Sequence, residues 1–366
     1  MTVNDVAGLI EAHAPIRFQE SYDNSGLSVG DPSMDVTGVL ICFDVTEQVV
    51  DEAISLGANL IVSHHPVIFS GLKSITGKSA VERIVLKAIQ HSIALYAAHT
   101  NLDSVYSGIN DVLCQKLKLS SCRILSPLKG QLSKLITFVP TAHLGNVRAA
   151  LFEAGAGHIG NYDSCSYASS GEGSFRANKG ANPFVGTVGE MHFEQEVRLE
   201  VICPKAALPY AIQRLRESHP YEEPAFDIVS LENELERVGI GMIGSLEMPM
   251  SEDDFVQHVR SALGCEVVRS SKNRGKTIKT VAVCGGSGGS LASLAAAKRA
   301  DAYVTGDLKY HTFLDYGERL LLVDAGHFET EHFAIDIFYD FITEKKANFA
   351  VYKTKLVENP VNYLYR

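Results

Sequence analysis

The chain has 366 residues, 46% of them hydrophobic, with 33 basic and 43 acidic side chains and a formal charge of −10. That length and apolar content bury a sizeable core, fit two or three domains and exclude a mainly disordered chain. The acidic balance opposes a phosphate-tracking surface and excludes nonspecific nucleic-acid binding. Residues 1–16 carry acids and no basic-then-apolar leader, and nowhere do about 18 uncharged apolar residues run together. The expectation is a soluble cytoplasmic protein without a membrane span.

The N-terminal part reads as alternating helices and strands. Thr2 with Asp5 makes a capping-box start for a helix ending near His13, and residues 38–43 are a buried-strand run. Thr46 caps a helix over 47–56 that Gly57 ends, and 59–62 is the next strand. A helix near 79–91 and a strand over 93–98 repeat the pattern, which predicts parallel strands covered on both faces. From about Ser126 to Val238 the composition changes. Strand 134–140, helix 144–154, a Gly/Ser/Asn-rich hairpin over 155–189, strand 196–202, helix 206–218 and a further strand form an α+β order of the ferredoxin-like kind. The C-terminal part resumes the first grammar: strand 280–284, a glycine loop, an N-cap at Ser290, helix 291–299, strands 302–305 and 320–323, helix 328–342 and a strand at 349–353. The predicted fold is α/β, with residues 1–125 and 239–366 forming two similar α/β units of one domain and 126–238 an inserted α+β domain.

Chemistry collects at the strand ends. His64 and His65 follow strand 59–62, His99 and Asp103 follow 93–98, and His327 and Glu331 follow 320–323. Ligands of an open parallel sheet gather outside the carboxyl ends of its strands. Histidines bonded to loop backbone and an Asx-turn aspartate are the ordinary alternatives; they leave the shared sheet edge a coincidence. His327 and Glu331, four apart, lie on one face of a helical first turn. Three histidines and two carboxylates suit zinc, manganese or iron(II) rather than calcium. They exceed the needs of one open tetrahedral zinc, so two divalent ions bridged by a carboxylate, about 3.5–4 Å apart, fit better.

Other residues stay open between two roles. Asp307 and His311 either support the ligands or move protons, or they cap a helix start. His99 orients Asp103 or touches substrate, or is satisfied by loop backbone. Asp44 and Thr46 read as helix caps. The loop 284–290 could hold an anion on its amides, although it lacks the GK[ST] ending of a P-loop and an exact G-x-G-x-x-G. Residues 219–224, with two prolines, read as a rigid turn. The seven cysteines are scattered, without a CxxC pair, and read as reduced thiols; Cys42 and Cys284 sit in apolar runs as small hydrophobes.

The stretches Ser21-Tyr-Asp-Asn-Ser-Gly-Leu27, Phe43-Asp-Val-Thr46, Ser63-His-His-Pro66, His99-Thr-Asn-Leu-Asp103, Thr305-Gly-Asp307 and Gly326-His-Phe-Glu-Thr-Glu331 resemble those of the Ngg-interacting-factor-three-like family. Its members are commonly labelled GTP cyclohydrolase one type two homologues. The resemblance covers nearly the whole chain; Gly157-His-Ile-Gly-Asn-Tyr162, Gly180-Ala-Asn-Pro183 and His219-Pro-Tyr-Glu-Glu-Pro224 are similar to long-form members, whose middle domain is similar to signalling and divalent-ion-tolerance trimer proteins. Tyr22 stands where many members have Trp, and keeps the aromatic ring. The resemblance implies dimetal ligands at His64, His65, Asp103, His327 and Glu331, and a toroidal homohexamer with metal sites facing an inner cavity. It also implies hydrolytic ring opening of GTP with loss of formate. Two functions follow: a metal-dependent hydrolase of a small nucleotide-like substrate, with Asp307, His311 or His99 shuttling protons, or a non-catalytic metal-binding or regulatory hexamer that senses a ligand through its insert.

Overall fold

Local signals set most helix limits. Thr2 and Asp5 exchange both bonds of the capping box at the helix Val3–His13. Thr46 caps Glu47–Leu56, and Gly57 ends it at φ 67°, in the left-handed region open to glycine. The computed structural model describes residues 1–344 and 349–364. Two compact units emerge: Met1–Pro127 together with the chain from Arg237 onward, and Leu128–Glu236.

The first unit contains two sheets. The five-stranded one has the order Gly26–Val29, Ala94–Ala97, Leu60–Ser63, Gly38–Cys42, Ala350–Lys353. Its last four strands are parallel. The six-stranded one has the order Arg269–Ser270, Leu321–Asp324, Ala302–Thr305, Thr277–Val283, Leu235–Ser251, Leu119–Leu128, with Thr277–Val283, Ala302–Thr305 and Leu321–Asp324 parallel. Each end of the chain therefore lends a strand to the sheet built mainly by the other. Ala350–Lys353 covers the open edge beside Gly38–Cys42, because an unpaired strand edge recruits whichever segment can reach it. Two helices also differ from expectation. The predicted helix 328–342 is two, His327–Glu331 and Ala334–Thr343, and the predicted 291–299 shortens to Ala292–Ala297 after a 3-10 turn, with no side-chain cap from Ser290.

One core joins the two sheets. Ile41, Val62 and Tyr96 of the first pack in the same buried cluster as Val281, Val304 and Val323 of the second. Burying each such side chain contributes about 1.5–3 kcal/mol, so the mutual placement of the sheets is held firmly. The outer faces are covered by helix residues Val49, Ala53, Ile84 and Val85 on one side and Ala292 and Ala295 on the other.

The second unit is an antiparallel sheet in the order Tyr167–Arg176, Met191–Pro204, Leu132–Pro140, Phe226–Leu231. The glycine-rich stretch thus contains a ten-residue strand. Leu135, Val139, Leu199 and Val201 face the helices Leu144–Glu153 and Leu208–Ser218 and bury Leu151 and Leu215 between them. Among the described residues no helix is long and apolar enough to cross a membrane. All seven cysteines are free, and Cys42 and Cys284 are buried.

Candidate metal centre

The carboxyl ends of strands from both sheets of the first unit meet at one cluster. His64 and His65 follow Leu60–Ser63, Asp103 closes a short helix after Ala94–Ala97, and His327 and Glu331 lie in the helix after Leu321–Asp324. Glu331 is the hub. Its Oε2 lies 2.9 Å from His327 Nε2, 3.4 Å from His65 Nε2 and 3.6 Å from His64 Nε2. Asp103 Oδ1 is 3.8 Å from His64 Nε2. Three donor triplets result, His64–His65–His99, His65–His327–Glu331 and His64–Asp103–Glu331, each compact enough to hold a metal ion, and the last two share Glu331.

The backs of the imidazoles are fixed. His64 Nδ1–H donates to the Ala98 carbonyl at 3.0 Å, which leaves Nε2 with its lone pair. His65 Nδ1 is bonded to Asp44 at 2.8 Å and His327 Nδ1 to Asp307 at 2.7 Å. A carboxylate or carbonyl behind each ring is how metal-binding histidines are oriented and made more basic. The fronts are unsatisfied: His64 Nε2, Asp103 Oδ1 and Glu331 Oε2 are buried and have no hydrogen-bond partner among the described residues. His65 Nε2 and His327 Nε2 stand 3.3 Å apart. Buried orphans of this kind each cost on the order of 1–3 kcal/mol, and a cation between them removes the cost. The residues fit a metal centre.

The electrostatics agree. Burial lowers His64 to about 4, against the pull of Glu331. For His65 burial opposes the charge, yet the carboxylates of Asp44 and Glu331 beside it raise it to about 10; His327, between Glu331 and Asp307, rises to about 9 against its own partial burial. Burial and the Glu331 charge push Asp103 well above the usual carboxylate range. Burial works against ionised Glu331 too, but three imidazoles hold it well below that range. The pocket is built to carry positive charge at its centre.

His99 joins the cluster, its ring 5.3 Å from those of both His64 and His65 and its Nδ1 bonded to Asp23 at 2.8 Å. Asp307 sits behind His327 and accepts from Ser287 at 2.5 Å. His311 does not reach the cluster; it is exposed in the helix Tyr310–Tyr316, edge-on to Tyr310. The four-residue spacing misleads because Asp307 lies in the loop before that helix, at φ 54°, so the two share no helical face. Asp44 is the residue the sequence reading misplaced. Thr46 alone caps the helix, while Asp44 supports His65.

Three amides of the glycine loop are already engaged. The amide of Gly285 donates to Asn110, that of Gly286 to Thr330, and that of Gly288 to Thr305. Its glycines also serve space. A Cβ on Gly286 would stand 2.2 Å from Glu331 Oε1 and one on Gly285 3.1 Å from Glu331 Cγ, so only a bare backbone admits the shared carboxylate. Beside the cluster opens a cavity of about 490 Å³ whose walls include Phe43, His65, Arg269, Asp307, His327 and Phe328.

Comparison with known proteins places the chain. The family model Duf34/NIF3 (NGG1p interacting factor 3) matches residues 1–360. A Halalkalibacterium halodurans protein called GTP cyclohydrolase 1 type 2 homolog is 41% identical over 324 residues, 88% of this chain and 87% of that one. A Bacillus subtilis protein of the same name is 41% identical over 322 residues, 87% and 86% of the two chains. Among solved structures, a Bacillus cereus protein related to NIF3 superposes with a TM-score of 0.86 at 37% identity, covering 100% of this chain and 99% of that one. A Staphylococcus aureus protein superposes at 0.80 with 30% identity, again over 100% and 99%. The cluster and the fold that carries it are therefore those of a member of the DUF34/NIF3 family.

Proposed function

We propose that this protein is a metal-dependent hydrolase whose centre holds two divalent ions, zinc, manganese or iron, with Glu331 shared between them. The observation that carries the reading is the pair of donor triplets meeting on one buried carboxylate. Such ions supply Lewis acidity to an electrophile and acidify a water at neutral pH. The chain's own residues do the rest. Asp44 and Asp307 hold His65 and His327 in the tautomers that present Nε2. His99, steadied by Asp23, can take or return a proton at its Nε2 beside the cluster.

The substrate class we propose is small and nucleotide-like. Phe43 and Phe328 line the adjoining cavity with flat apolar surface and Arg269 adds a cation, a combination suited to a planar base and an anionic group. The names of the relatives point to GTP, and the reaction we propose, the one implied by the family resemblance, is hydrolytic opening at the purine imidazole carbon with release of formate. We also propose a toroidal homohexamer, the assembly implied by the family resemblance; exposed apolar side chains such as Met191, Phe193 and Ile228 favour association of the chain with itself. The second reading, a non-catalytic metal-binding regulator, is separated by experiment. Metal content per chain is measured on protein purified without chelator, then formate release from GTP is followed with the native metal. A ratio near two with turnover that Glu331→Ala abolishes supports the hydrolase. A ratio near two without turnover on GTP or other nucleotides favours the regulator. A ratio near zero that added zinc, manganese or iron cannot raise refutes both.

A further inference from the structure

The second unit carries a half-open cavity of about 590 Å³ lined wholly by its own residues. Three of its walls are aromatic. The ring centroids of Phe175 and Tyr221 are 6.1 Å apart and inclined at 60°, and those of Phe184 and Tyr221 are 6.2 Å apart and inclined at 48°. A cation bound by aromatic faces sits within about 6 Å of each centroid, so rings at this separation can share one charge. The loop that carries Phe184 is tied down, since the Asn182 amide donates to Glu222 Oε1 at 2.9 Å.

The charge of the walls is predominantly negative. Glu172, Glu196, Glu222 and Glu223 line the cavity, and among the described residues none of them forms an ion pair. The single wall cation, Arg198, is paired with Glu200 at 3.0 Å. Glu196 is set among the rings: its Oε1 accepts from Tyr221 Oη at 2.8 Å, and its Oε2 occupies the place a side chain on residue 173 would fill, 2.2 Å from where a Cβ of Gly173 would stand. An anionic ligand would meet four carboxylates. A bare divalent ion would find three of them already engaged and aromatic carbon in place of further oxygens. A primary ammonium would have to shed its tightly held water against the three rings, whereas a methylated one presents apolar methyl groups to them.

We infer that this cavity binds a quaternary ammonium group, held on the faces of Phe175, Phe184 and Tyr221 with Glu196 supplying the counter-charge. The test is calorimetric titration of the full-length protein with choline and with 3,3-dimethylbutan-1-ol, its uncharged carbon isostere. Choline should saturate one site per chain, and the isostere should bind at least about tenfold more weakly. Phe184→Leu, at a half-exposed ring whose loss leaves the fold intact, should weaken choline about tenfold, and Glu196→Gln should weaken it and flatten its salt dependence. Circular dichroism of both variants confirms the fold. Absence of choline binding at millimolar concentration, equal affinity for the isostere, or an unchanged affinity in the folded Phe184→Leu protein would each overturn the inference.

Discussion

Replacing Gly286 by alanine tests the shared carboxylate without touching any ligand. The new Cβ would lie 2.2 Å from Glu331 Oε1, and since real Cβ contacts essentially never fall under 3.0 Å, the two must separate by about 0.8 Å. The loop cannot yield. Gly286 N donates to Thr330, and Gly286 O accepts from the Gly306 amide at 2.8 Å and from the Thr305 hydroxyl at 3.0 Å. Glu331 must therefore move, and metal–ligand distances tolerate only about 0.2 Å. Losing the alignment of a ligand in this way should weaken metal binding by at least about 100-fold. The metal-free protein should lose only about 1–2 kcal/mol, the cost of alanine at φ 56°. Metal affinity is read by chelator competition with elemental analysis, and stability by thermal melting in excess chelator. Gly289→Ala, whose Cβ would meet only Leu308 Cδ2 at an ordinary 3.6 Å, is the matched control. A Gly286→Ala protein that keeps wild-type metal content and affinity would show that Glu331 does not bridge.

Three further outcomes follow from the geometry. Asp44→Asn and Asp307→Asn each remove the carboxylate behind one imidazole and should lower metal affinity about 10–100-fold with the fold unchanged, measured by the same competition. His99→Gln should leave metal content intact and cut turnover about 100-fold or more if His99 transfers a proton; equal loss of metal and turnover would make it a ligand instead. Glu252, buried and bonded three ways to Arg274, has its carboxyl held below the usual range: burial opposes ionisation, and the Arg274 hydrogen bonds outweigh it. A lowered folded value means that its stabilisation is present above the unfolded value of 4.5 and is lost as pH falls below it. Glu252→Ala should cost about 3 kcal/mol at neutral pH by orphaning Arg274, and denaturant titrations from pH 7 to 3 should show a smaller acid-side decline than wild type.

Much of the centre is legible in the chain because strand ends announce themselves. An apolar run that stops on His64-His65, on His99 with Asp103, or before His327 with Glu331 declares both where it ends and what it presents there. Parallel strands aim those ends at the carboxyl edge of their own sheet, which groups His64, His65 and Asp103 on one sheet and His327 and Glu331 on the other; the expected single sheet edge is two, and only the packing of the sheets brings them together. What the chain conceals is pairing across sequence. Asp44 beside a helix start looks like a cap, and only the 2.8 Å contact with His65 assigns it. His311 looks like the partner of Asp307, yet the turn at Asp307 sends it away. The glycines at 285 and 286 read as part of an anion loop because flexibility and close approach use the same residue; the neighbour that needs the space, Glu331, is some 45 positions further on. Local hydrogen bonding and hydrophobic period, which act within a few residues, settle the elements from sequence alone. Which edge Ala350–Lys353 closes, which carboxylate stands behind which imidazole and which rings surround Glu196 depend on contacts between distant segments, and those exist only once the core has packed.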